Sequence, residues 1–147
     1  MATKTKSIVA EYDLPHPPKK VWRILTEPKL LEAWLMPNDI AAVVGHKFNF
    51  RAHPIGNWDG IVWCEMLTVE PHTRLRYSWR GKAPTDEKPD HVLDTVVTWT
   101  LNPKPGGTLL RLDHDGFTDA DQMGYEQMSG GWKTRMIVGM LRALATL

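Results

Sequence analysis

The 147-residue chain reads as a single α+β domain, with a curved six-stranded antiparallel sheet wrapping a long C-terminal helix. Three observations predict it. A half-buried alternating run opens the chain. Five more short strand-like runs fill the middle, between helical ends, which is the α+β pattern. The last segment is a helix apolar over most of its circumference, so it must be buried on more than one side.

The first strand is Ser7–Leu14, where Ile8, Ala10, Tyr12 and Leu14 share one face and Glu11 and Asp13 the other. Pro15-His16-Pro17-Pro18 stops it, and prolines are accepted in the first turn of the helix that follows. Val21, Trp22, Ile24 and Leu25 give that helix its apolar stripe. Thr26-Glu27-Pro28 ends it and opens a second short helix, whose Leu30, Leu31, Trp34 and Leu35 face inward until Pro37 closes it.

Five strands follow. Gly45–His53 sets Phe48 and Phe50 against Lys47, Asn49 and Arg51. Asp59–Glu70 is long and carries Ile61, Val62, Trp63 and Val69. Arg74–Arg80 alternates Leu75, Tyr77 and Trp79 with Arg76 and Ser78. Val92–Leu101 holds Trp99, and Thr108–His114 follows the turn Pro105-Gly106-Gly107. Gly, Pro, Asn or Asp bounds each run, as in hairpin-connected strands. The polar stretch Gly81–Asp90 reads as a mobile hairpin tip.

From about Ser129 the chain is helical to its end. Trp132, Met136, Met140 and Ala143 form one line, and Ile137, Leu141 and Leu144 another. Only a narrow stripe through Arg135 and Arg142 is polar. The sheet covers one side of such a helix; a pocket, the short helices or a second subunit must cover the rest. The predicted order is β-α-α-β-β-β-β-β-α, one domain over residues 1–147.

Composition narrows the function classes. Lys and Arg number 18 against 17 Asp and Glu. There is thus no basic field for a nucleic acid, and the few clustered positives (Lys4, Lys6, Lys19, Lys20) read as solvated surface. The single cysteine, Cys64, builds no disulfide framework and favours a reducing compartment. No signal-like segment and no run of ~18 apolar residues is present, so a cytoplasmic protein without a membrane span is expected. Seven Trp and seven Met stand beside only three Phe and three Tyr. Rigid plates with adaptable fillers suit the wall of a cavity, or equally a core rich in both.

The element order and several local motifs resemble the SRPBCC or START-like superfamily, the helix-grip fold. More narrowly, the chain is similar to the branch named after the activator of the ninety-kilodalton heat-shock-protein ATPase. The matching stretches include Val21-Trp22-Arg23-Ile24-Leu25-Thr26-Glu27-Pro28, Leu31-Glu32-Ala33-Trp34-Leu35-Met36-Pro37 and Gly45-His46-Lys47-Phe48. They continue through Trp58-Asp59-Gly60, Val69-Glu70-Pro71, Arg74-Leu75-Arg76-Tyr77-Ser78-Trp79, Gly116-Phe117 and Gly131-Trp132. Their order and spacing over roughly residues 8–145 carry the likeness. The resemblance implies a hydrophobic-ligand cavity between sheet and long helix without fixing an activity, because the superfamily holds carriers, cyclases and hydrolases. No counterpart of the separate N-terminal domain of the eukaryotic co-chaperone is expected, so chaperone activation is not expected to come with the likeness.

The candidate ligand-binding residues are Trp34, Met36, Phe48, Phe50, Trp63, Tyr77, Trp79, Trp99, His114, Trp132, Met136 and Met140. His114 shares strand parity with Leu110 and Leu112 and should point inward. There it would bond a ligand, serve as a base, or simply be satisfied by its neighbours. Glu65 and Asp94 are the acids to weigh, and exposure is the expected outcome because an unpaired buried carboxylate is costly. The same face rule sets Arg51, Arg76 and Arg80 outward.

No catalytic set and no cofactor motif emerges: CxxC, HxxxH, HExxH, GxSxG, P-loop and GxGxxG patterns are all missing. Asp113-His114-Asp115-Gly116 with Asp119 and Asp121 has its glycine at the wrong offset for an EF-hand and lacks the closing acid. Asp119 fits a turn or a helix N-terminus, and Cys64 mid-strand has no sign of activation.

The leading expectation is a binder of a small hydrophobic or amphipathic molecule, oriented by a polar group such as His114 or Tyr77. The second is a cyclase- or hydrolase-like enzyme in the same cavity. The third is a protein-interaction module, with a homodimer through the C-terminal helix.

Overall fold

The computed structural model describes residues 5–54, 58–82 and 92–147. Lys4 and the hairpin-tip reading from residue 83 onward lie outside them. Strand β1 (Lys6–Leu14) leads into helices α1 (Pro18–Thr26) and α2 (Pro28–Trp34). Strands β2 (Lys47–Arg51), β3 (Ile61–Glu70), β4 (Arg74–Gly81), β5 (Leu93–Lys104) and β6 (Gly107–Phe117) form a meander, and β1 pairs with β6. The single antiparallel sheet has the order β1-β6-β5-β4-β3-β2. This is the predicted α+β helix-grip architecture.

Parity places the core as the alternation predicts on β1, β2 and β4. Ile8, Ala10, Tyr12 and Leu14 are buried, as are Phe48 and Phe50, and Leu75, Tyr77 and Trp79. On β3 one expectation is corrected. Val62, Cys64 and Met66 point inward, so Trp63 lies on the outer face, 53% exposed. Neighbouring strand positions alternate sides, and Trp63 shares its side with the charged Glu65.

The C-terminal helix also departs from expectation. It starts at Gln122 rather than Ser129 and runs as two segments, α3 (Gln122–Thr134) and α4 (Met136–Ala145). A 3-10 turn, Asp119–Asp121, precedes it. The Thr118 N–H and hydroxyl both donate to Asp121 Oδ2, at 2.7 and 2.9 Å, which satisfies groups at the start of the turn. Arg135 separates the segments, although its N–H still donates to the Gly131 carbonyl at 3.1 Å. Gly124 with the polar Gln122, Glu126 and Gln127 thins the apolar stripe of its first two turns, which hid them in the sequence.

The short helices supply the cover that α4 needs. A Cβ added at Gly139 would lie 2.8 Å from Trp34 Cβ and 3.2 Å from its Cα, so only glycine allows α4 to approach α2 this closely. Met140, Ala143 and Leu144 are buried beneath it. Val138 is exposed. No helix among the described residues is long and apolar enough to cross a membrane.

Candidate functional site

The inward side chains of the sheet and the helices that cross them divide the interior in two. One part is filled. Trp99 meets Trp34 edge-on at 5.9 Å and Trp132 at 5.6 Å between ring centroids. Phe48, Phe50 and Tyr77 cluster at 5.3–6.2 Å. Indole N–H groups are costly to bury unpaired, and here they have partners. Trp34 Nε1 donates to the Ile24 carbonyl at 2.9 Å, and Trp99 Nε1 to the Tyr77 hydroxyl at 3.0 Å. Burial pushes the Tyr77 phenol pKa up. The Tyr12 hydroxyl, with its pKa also raised by burial, donates to the Trp132 carbonyl and ties β1 to α3.

His114 belongs to this filled part. It is fully buried, and Trp132 Nε1 donates to its Nδ1 at 3.1 Å. An Nδ1 that accepts leaves the ring proton on Nε2, which donates to Thr95 Oγ1 at 2.8 Å. The Thr95 hydroxyl in turn donates to the Trp79 carbonyl at 2.8 Å. Each link has one donor and one acceptor, so the neutral tautomer is set by the network. Desolvation lowers the imidazole pKa to about 3, and no carboxylate among the described residues bonds to the ring. The ring is thus neutral, with both nitrogens engaged by Thr95 and Trp132.

The other part is open. A cavity of about 200 Å³ lies between the sheet and α3. Trp79 and Trp132 are its inner wall, their rings 5.8 Å apart and inclined at 66°. Met36, Met128 and Met136 line its sides, and the Trp58 ring closes another edge, held by Nε1–H donation to the Ile61 carbonyl at 3.0 Å. The α3 wall contains Gly124 and Gly131. A Cβ at Gly131 would meet nothing within 4 Å. Polar groups occur at Gln127, Arg80 and Lys82.

Of the twelve residues expected to bind a ligand, Met36, Trp79, Trp132 and Met136 line this cavity. Trp34, Phe48, Phe50, Tyr77, Trp99, His114 and Met140 are buried elsewhere in the core, and Trp63 faces outward. The polar groups expected to orient a ligand, His114 and Tyr77, are engaged with core tryptophans. Glu65 and Asp94 take the outer face. Asp94 accepts from Arg80 Nε at 2.8 Å there, and Arg51 and Arg76 are exposed as expected. Cys64 is buried and its thiol pKa is raised by desolvation, then by Asp39.

Trp58, Met128, Gly131 and Lys82 also line the cavity, though none was among the residues expected to bind a ligand. Glycines inside a predicted helix were the available signal, since each costs about 1 kcal/mol against alanine and needs a reason. Among the described residues no cluster of His, Cys, Asp or Glu could hold a metal ion.

The family described as activator of Hsp90 ATPase homolog 1-like protein matches residues 15–145. Protein MLL2253 of Mesorhizobium loti is 38% identical over 96% of this chain and 98% of its own, with a TM-score of 0.84. BH1534 of Bacillus halodurans is 23% identical over 97% and 99% of the two chains, at 0.74. NE0264 of Nitrosomonas europaea is 20% identical over 95% and 94%, at 0.72. The last two likenesses concern the fold alone. No functionally curated protein matches the chain.

Proposed function

The chain belongs to the activator of Hsp90 ATPase homolog 1-like family, and we propose that it binds a small hydrophobic or amphipathic molecule in the cavity between the sheet and α3. The observation that carries this reading is Gly131. A helix interior favours almost any residue over glycine, and here a side chain would meet open space rather than a clash. Because Gly131 lies on the cavity lining, a side chain there would occupy this space. At about 200 Å³ it exceeds the roughly 150 Å³ apolar cavity that accepts benzene. Trp and Met walls would supply affinity through apolar burial.

Binding without catalysis fits the site better than a cyclase- or hydrolase-like reaction, because the buried histidine is held neutral with both nitrogens occupied. A homodimer through the C-terminal helix is not needed to cover the buried side of α4, which α1 and α2 pack.

The test compares wild type with Gly131→Leu, using N-phenyl-1-naphthylamine, a neutral probe that fluoresces in apolar surroundings. Wild type should bind it saturably. The variant should stay folded, with an equal or higher melting temperature, and lose binding as the leucine fills the space. Unchanged binding in a folded variant contradicts the proposal.

A further inference from the structure

The charge around the cavity narrows the ligand class. Among the described lining residues there are two cations, Arg80 and Lys82, and no carboxylate. The two cations are not equivalent. Arg80 is held on the outer face by Asp94, its Nε donating at 2.8 Å. Lys82, two residues on and just past the end of β4, is partly buried and makes no ion pair among the described residues. Its ammonium has the chemistry to complete a charge-assisted bond with an incoming anion. Gln127 of α3, also on the lining, offers an amide that can donate. Apolar plates below and, among the described residues, one cation without an ion pair at the edge match a molecule with an apolar body and a single anionic head.

We propose that the natural ligand is a small aromatic or aliphatic acid, its apolar body against the wall that Trp79 and Trp132 form together and its carboxylate at Lys82. This rests on the binding reading above and sharpens it. Because the lysine sits at the edge rather than in the core, the carboxylate keeps part of its hydration and the body supplies most of the affinity.

The experiment compares 2-naphthoate with 2-naphthamide, equal in shape and different in charge, by quenching of tryptophan fluorescence at low and at physiological salt. The acid should bind about fivefold tighter at low salt, a preference that shrinks as salt screens the pair. Lys82→Gln should bring the two ligands close to parity while the amide binds as in wild type. Equal affinities in the wild type overturn the acid assignment and leave the cavity reading standing. A preference for the acid that survives Lys82→Gln overturns the seat at Lys82. If neither ligand binds and N-phenyl-1-naphthylamine also fails, the cavity reading falls, and this proposal falls with it.

Discussion

Trp132 divides an interior that one sheet and one helical run build in opposite ways. Behind it, toward Trp99 and His114, aromatic rings meet edge to face and the indoles of Trp34, Trp99 and Trp132 each donate to a protein acceptor. Ahead of it, toward Met36 and Met136, the same helix presents Gly124 and Gly131 and the space is left open. The two glycines on the C-terminal helical run state the contrast most sharply. Gly139 is small because Trp34 presses against it, whereas Gly131 is small with nothing near. A close approach explains the first. The second leaves a void where a core would ordinarily be filled, and a void with a Trp floor and Met sides is what a ligand site requires.

The filled half should carry the stability. Trp99→Ala removes its largest fully buried side chain and the hydrogen bond to Tyr77, and should cost about 3–5 kcal/mol in urea unfolding. A loss below 1 kcal/mol would mean this half is not tightly packed.

The His114 network gives a pH signature. The folded state holds this imidazole neutral down to about pH 3, whereas the unfolded chain protonates it near its ordinary pKa of 6.5. Its contribution is therefore flat above that value, and stability is lost as pH falls below it. Between pH 7 and pH 5 the loss should be about 2 kcal/mol, and His114→Gln should remove that part of the dependence. Equal slopes for the two proteins would contradict the buried neutral ring.

The glycines should respond with opposite signs. Gly139→Ala places a methyl against the Trp34 Cβ, and should cost about 1–2 kcal/mol even after its gain in helix propensity. Gly131→Ala should be the smallest effect, a gain of about 0.5–1 kcal/mol, because the helix benefits and nothing is displaced. Thermal unfolding of the pair checks both, and two shifts of the same sign would erase the distinction between close approach and open space.

Much of the fold was legible because strands and amphipathic helices leave a periodic record. The apolar parity of β1, β2 and β4 places Tyr12, Phe48 and Trp79 in the core, and the stripe of α1 does the same for Ile24. The inward parity of His114 was legible too, but its role depends on Thr95 and Trp132, which come from other elements. On β3 a preference for the bulky ring misplaces Trp63. The uniformly apolar Val62, Cys64 and Met66 mark the buried face, since a charged Glu65 lies on the other.

The cavity was the least legible feature. Empty space belongs to no residue, and the tryptophans and methionines that wall it have the same periodicity as those that fill the core. Met36, Met136 and Met140 look alike in the sequence; only the fold separates the first two from the third.

That separation offers the most direct measurement. With methionine methyl groups labelled with carbon-13, N-phenyl-1-naphthylamine can be titrated into the protein while each methyl resonance is followed. Large shifts are expected for Met36, Met128 and Met136 at the cavity, and little change for Met66 and Met140, both fully buried in the packed core. Shifts centred on Met66 or Met140, or no saturable shift at any methyl, would contradict the cavity reading.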